Sequence, residues 1–426
     1  MRKLAVLLAT MSIVTSTFAD NYAIVGGKIH TMGSQGIVDQ GTILVRDGRI
    51  ESVQSGESVP EGYERIDASG KVVTPGFIGA LTSLGLVEVS SSSGVVDSSI
   101  EMTPISNTGA ALDVQYAVNP DSSLLAITRL EGMTSAATAI NGSKYLFGGL
   151  GAIIQLSGQS PVLKSAAFMT IDVGSEGAEH TGGSRAALWV MLDKVFEEAS
   201  NAAGDLSAEK PWYGLNTRSD VKALKRVIQG EVPLLMRADR AADIRQVIAF
   251  KDRHPSVKVV LVHGVEAWRV ASELAQSNIP VIIDPEYNLP GGFDQMGATL
   301  SNAARLHQAG VSVAIGMDTH NIRLAAQHAG NAVANGLPHE VGLESLTRVP
   351  ASIFGLDTEV GRLEVGLQAD IVIWSGDPLE VTEAAESVFI NGLPIKMESR
   401  QTKLRDRYLS LGTGNSKKPS QYQRSE

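Results

Sequence analysis

From residue 22 to 73, short β-branched runs alternate with turns. Tyr22-Ala23-Ile24-Val25, Thr42-Ile43-Leu44-Val45, Arg49-Ile50-Glu51-Ser52-Val53 and Lys71-Val72-Val73 are separated by Gly26-Gly27 and Asp47-Gly48. Runs this short, bounded by glycine turns, predict a series of small hairpins. The same pattern returns at 361–366, 369–374 and 387–392, so the two ends of the chain are expected to meet as one composite β-sandwich. Between them, apolar runs at 133–140, 151–156, 233–237, 258–263, 280–284 and 311–318 alternate with helix-like stretches, each run closed by a Gly, Pro or polar loop. That rhythm predicts an α/β fold, a (β/α)8 TIM-type barrel of parallel strands.

These patterns divide the chain into an N-terminal sandwich part at 20–75, a barrel at 76–355, a C-terminal sandwich part at 356–397, a terminal helix at 398–411 and a disordered tail at 412–426. Residues 1–19 have a basic start at Arg2 and Lys3, an apolar stretch over 4–14 and a Thr17-Phe18-Ala19 close. This order predicts a secretory signal peptide cleaved after Ala19. Its apolar part would make a helix of roughly 16 Å against a hydrocarbon core of about 30 Å, too short for an anchor. The expectation is an exported, periplasmic protein with no membrane partner.

Composition narrows the chemistry. A hydrophobic fraction of 43% and a charged fraction of 19% describe a globular chain, and its length of 426 residues is enough for a barrel plus a smaller module. The net charge of -10 gives a surface that repels phosphate backbones, which excludes nucleic acid and leaves small organic molecules as partners. With no Cys, any metal would have to be held by the 8 His and by carboxylates. In a parallel barrel, catalytic groups stand just past the carboxyl ends of the strands. The residues there are Leu81, Ser83, Arg237, Asp239, His263 and Asp318.

Five motifs carry a resemblance: T-P-G-F-I at 74–78, A-V-N-P-D-S at 117–122, F-G-G-L-G-A-I-I-Q at 147–155, A-I-G-M-D at 314–318 and G-R-L-E-V-G-L-Q-A-D-I-V-I-W-S-G-D-P-L at 361–379. Through them the chain resembles the amidohydrolase superfamily, in its imidazolonepropionase-like branch of exported bacterial proteins, over residues 22–411. The resemblance implies hydrolysis of non-peptide C–N bonds in small amides or cyclic amides, with zinc or another divalent metal as cofactor.

Carried over one position at a time, the family's metal ligands are mostly replaced. Leu81 and Ser83 stand at the H-x-H of the first strand, and Arg237 and Asp239 stand at the two His of the fifth. His263 of the sixth strand and Asp318 of the eighth remain, and the bridging ligand of the middle strand has no clear match near 169–176. A catalytic zinc normally has three protein ligands and an open position, so metal binding is expected to be weak or absent. The resemblance then implies Asp318 moving the proton and His263 steadying the oxyanion, with Arg237, Asp239 and His320 as pocket residues or charge substitutes.

Blander readings stand beside these. Asp318 as a loop cap and His263 as a core imidazole need no ligand, whereas a permanent cation at 237 could neutralise Asp318 or Asp239. A rebuilt metal site from Asp239, His263, Asp318 and His320, with Glu179 or His180, competes. So does a non-catalytic periplasmic pseudoenzyme that binds a ligand, forms a homo-oligomer or pairs with an active paralogue.

Overall fold

The structure is a computed structural model that describes residues 21–88, 96–100, 106–158, 160–202, 206 and 211–410. The expected signal peptide and tail lie outside these residues. The strands follow the chain as β1 (Tyr22–His30), β2 (Ile37–Arg46), β3 (Arg49–Ser55), β4 (Glu64–Asp67), β5 (Val72–Pro75), β6 (Phe77–Thr82), β7 (Ser99–Ile100), β8 (Met133–Thr138), β9 (Gly142–Ser143), β10 (Phe147–Gln155), β11 (Val162–Asp172), β12 (Leu234–Ala238), β13 (Val259–His263), β14 (Val281–Ile283), β15 (Val313–Ile315), β16 (Ile371–Trp374), β17 (Ala385–Ile390) and β18 (Leu393–Pro394).

Both ends of the chain do meet in one sheet, ordered β18-β17-β16-β5-β1-β2-β3, with β4 also on β1. The join is antiparallel between β5 and β16, with Pro75 opposite Ile371 and Val72 opposite Trp374. The sheet encloses its own core of Ile24, Ile43, Val45, Ile371, Ile373 and Phe389. Trp374 fastens it to the barrel: its indole N–H donates to Thr74 Oγ1 at 2.9 Å, and its ring lies 5.0 Å from that of Phe77 at the start of β6. A buried indole needs such an acceptor, and Thr74 supplies it.

The barrel sheet runs β15-β14-β13-β12-β11-β10-β8-β6. It closes almost fully, because the Met317 and Asp318 amides both reach the Leu81 carbonyl, at 3.2 and 3.3 Å. One strand departs from the all-parallel expectation: β10 is antiparallel to both β8 and β11. The reason is the connection at 156–161, which is long enough for a hairpin and too short for a helical crossover. The glycines at 148, 149 and 151 lie inside β10. A Cβ on Gly151 would stand 2.2 Å from the Phe168 ring, so glycine lets that ring fill the barrel interior beside Ile153, Leu235, Val260 and Ile282.

Helices cover the outside. The helix Arg218–Ile228 is fixed by a capping box in which Thr217 and Asp220 satisfy each other's backbone amides. Asp220 is fully buried and also accepts from Ser106 Oγ and the Ala111 amide, which ties the segment before β8 to this helix.

Candidate functional site

The parallel strands end at one rim, and four of them place a charged or titratable residue there: Asp172 closes β11, Arg237 is the penultimate residue of β12, His263 closes β13, and Asp318 follows β15. His263 and Asp318 have φ of +69° and +45°. Non-glycine residues in the left-handed region cost of order 1 kcal/mol or more, and such strain collects at ligand sites.

Arg237 is the centre of the group. Its Nη2 lies 2.8 Å from Asp318 Oδ2 and 2.7 Å from His263 Nε2. The two N–H bonds of that nitrogen are thus given one to the carboxylate and one to the imidazole, so His263 Nε2 accepts and its proton sits on Nδ1. Arg237 Nε is 3.9 Å from Asp172 Oδ2, and Nη1 is 4.0 Å from Glu176 Oε2. Burial works against the guanidinium charge, but Asp318, Asp172 and Glu176 outweigh it and hold the group even more firmly protonated than usual.

The carboxylates divide. Burial pushes Asp172 above the ordinary range, against the pull of Arg237 and of the Gly174 and Gly177 amides that Oδ1 accepts at 2.8 and 3.1 Å. Asp239 does not pair with Arg237. It accepts from Gln295 Nε2 at 2.8 Å and from the Val265 amide at 3.2 Å, and lies 3.8 Å from His263 Nδ1. Burial raises it, yet His263 and these donors outweigh that and leave it below its ordinary value. The structure therefore gathers Asp318, His263, Arg237 and Asp239, whereas His320 lines neither cavity of the rim.

Two cavities share Arg237, Asp172 and Glu176 as a common wall. The outer one, about 560 Å³, is lined further by Asp239, His263, Tyr287, Phe293 and Gln295. The inner one, about 60 Å³, is lined by Leu81, Leu146, Thr170, Leu235, Val262 and Asp318 among others. Asp172 is the residue sequence reasoning missed. Its signal was present, an acidic residue ending an apolar run at 168–172, but only the pairing of Asp172 with Arg237 across β11 and β12 identifies it as the middle-strand group.

The residues do not fit a divalent metal. Leu81 offers no donor, the Ser83 hydroxyl is buried without a partner, and an Arg237 nitrogen already touches both surviving ligands. Among the described residues, no group of three or more His, Asp or Glu converges where a metal could be held. The rebuilt site from Asp239, His263, Asp318, His320 and Glu179 or His180 does not assemble; Glu179 is exposed at the end of the short helix Ser175–His180.

An eight-stranded barrel joined to a sheet built from both ends of the chain, with charged strand ends at one rim, defines the class as a TIM-type barrel with a composite sheet domain. The model of the amidohydrolase family matches residues 236–396. The chain is 23% identical over 393 residues to "Amidohydrolase tasK" of Hapsidospora irregularis, covering 83% of this chain but only 39% of that protein. It is 22% identical over 378 residues to the imidazolonepropionase of Klebsiella pneumoniae, covering 81% and 89% of the two chains. An amidohydrolase from Thermotoga maritima has the same fold, with a TM-score of 0.78 at 24% identity over 88% of this chain and 99% of that one. Residues 236–396 thus carry an amidohydrolase-family domain, and the likeness to amidohydrolases extends over most of the chain at 22–24% identity.

Proposed function

We propose that this protein binds a small amide or cyclic amide, the substrate class of C–N hydrolases, in a rim site where a guanidinium has taken the place of the metal. One observation carries the reading: Arg237 Nη2 stands 2.7 and 2.8 Å from His263 and Asp318, the two retained family ligand positions. A carbonyl oxygen entering the outer cavity meets a permanent cation with fixed donors, and a planar guanidinium suits such an acceptor.

A metal normally lowers the pKa of bound water from 15.7 to about 7, so on the order of 12 kcal/mol of hydroxide availability is missing here. A positioned carboxylate base contributes about 10²–10⁴-fold, some 3–5 kcal/mol, and does not close that gap. Binding is thus favoured over fast turnover.

The second reading is slow hydrolysis of a non-peptide C–N bond. It is favoured by Asp318 and His263 facing one point at the rim, and by the relatives named for such reactions. In it a water oxygen bonds to the carbonyl carbon, its proton passes to Asp318, and the C–N bond breaks as the nitrogen takes that proton back. A panel of hydantoins, dihydropyrimidines and dipeptides, with and without added zinc or manganese, separates the two. Saturable binding without turnover supports the first reading. Turnover lost in Asp318→Asn supports the second and sinks the first.

A further inference from the structure

Where the family places a metal-binding imidazole, this chain has Leu81, and Leu81 lines the inner cavity with Ile140, Leu146, Leu235 and Val262. These come from β6, β12 and β13 and from segments beside β8 and β10, so the apolar lining is assembled by the barrel itself rather than by one loop. The charged groups Arg237, Asp318, Asp172 and Glu176 line it too, and Asn141, Ser143, Tyr145 and His180 complete its polar side. One polar group inside is unaccounted for: Thr170 Oγ1 is buried with no hydrogen-bond partner, and it also lines the cavity. Gly148 keeps room beside it, since a Cβ there would lie 2.4 Å from that hydroxyl. A buried hydroxyl left unpaired costs about 1–3 kcal/mol, a cost that a ligand atom can relieve.

We infer that the vacated metal position has become an apolar subsite that selects the ligand by its side chain. It takes a compact branched alkyl group of three or four carbons, held below Arg237 while the ligand's carbonyl stays at the guanidinium, and it prefers a hydroxyl at the branch point that bonds Thr170. The size follows from the volume: on the same measure one water needs about 10–15 Å³, and the cavity has about 60 Å³. The position of the carbonyl rests on the amide reading above; the apolar subsite does not.

The experiment is a titration of the full chain, followed by the methyl resonances of Leu, Val and Ile. The probes are acetamide, propionamide, isobutyramide, isovaleramide, 3-phenylpropionamide, 2-hydroxyisobutyramide and, as a probe with no amide, isobutanol. Affinity is expected to rise roughly fourfold per added methylene up to isovaleramide, then to fall for 3-phenylpropionamide. 2-Hydroxyisobutyramide should bind more tightly than isobutyramide, and that advantage should vanish in Thr170→Val. Leu81→Asn should flatten the chain-length dependence, and Val262→Ala, which only enlarges the space, should shift the optimum to a longer chain. Isobutanol binding with no gain from the amide would uphold the subsite while removing the amide reading. Amides binding with equal affinity whatever their chain, or no probe binding at all, would overturn the subsite.

Discussion

Nη2 of Arg237 lies 2.8 Å from Oδ2 of Asp318, joining the end of the fifth barrel strand to the end of the eighth across the rim. The pair is mostly buried, and the same nitrogen also serves His263. Breaking such a pair leaves a desolvated carboxylate without its cation.

Arg237→Met is therefore expected to lower the unfolding free energy by about 2–4 kcal/mol, toward the lower end of the range for buried pairs because the guanidinium keeps some solvent contact. Arg237→Lys should recover only part of this, since an ammonium cannot reproduce the planar set of donors to Asp318, His263 and Asp172. Denaturant unfolding of the two variants measures both effects; equal stability of wild type and Arg237→Met would refute the pairing.

Asp172 sets an acid-range pH dependence. Its folded pKa is raised, chiefly by burial, so the folded state holds its proton longer than the unfolded chain. Its contribution is present below the unfolded value of about 4 and is lost as pH rises through the folded value. Asp172→Asn should flatten that fall in stability as pH rises from about 4 while still accepting from the Gly174 and Gly177 amides. Asp239 has the opposite sign: its lowered pKa gives stability above about pH 4 that disappears as pH falls through the folded value. Unfolding curves at stepped pH for Asp172→Asn and Asp239→Asn resolve the two.

His30 gives a third pH effect, away from the rim. It is 3% exposed, and burial lowers its pKa, with Lys28 and His339 adding to this and Glu340 at 2.8 Å opposing it. The unfolded chain therefore takes up the proton first, so stability should fall as pH drops from 7 through about 6.5 toward the folded value. His30→Gln should reduce that slope. An unchanged slope would mean that the imidazole titrates no differently in the folded chain.

Gly177 holds the acidic side of the rim in place. Its amide donates to Asp172 Oδ1, and a Cβ would come within 1.9 Å of the Asp172 carbonyl oxygen. Gly177→Ala is expected to displace the segment that carries Asp172 and Glu176 and to weaken ligand binding at least tenfold, with a loss of 1–3 kcal/mol in stability as for other overpacked sites. Titration of the variant with isovaleramide tests it.

If Leu81, Ser83 and Arg237 occupy true ligand positions, restoring imidazoles there should restore a metal. The triple variant Leu81→His, Ser83→His, Arg237→His, with His263 and Asp318 retained, is expected to keep zinc through dialysis. Elemental analysis beside the wild-type chain checks this, and a triple variant that returns from dialysis without zinc would show the positions to be wrongly aligned.

Much of this was written in local patterns. The β-branched runs at both ends and the motif closing at Trp374 anticipate a shared sheet, because short apolar strands need partners on both sides, and β5 and β16 supply each other's second edge between β1 and β17. The strand-end positions of Arg237, His263 and Asp318 were legible for the same reason: an apolar run followed by a polar residue and a loop marks where a barrel strand leaves the core. The reversal of β10 was not legible, since apolar runs carry no direction and only the short link at 156–161 decides it.

The sequence by itself determined the scaffold and the residue types at its rim, because hydrophobic period and turn residues act over a few positions. Which rim groups touch was decided by the tertiary structure alone. Asp172 comes beside Arg237 through strand register, Asp239 is drawn away by Gln295, which lies 56 residues further along the chain, and His320 falls outside the cavities. Contacts between such distant residues depend on how eight strands close around one core, and no local pattern encodes that closure.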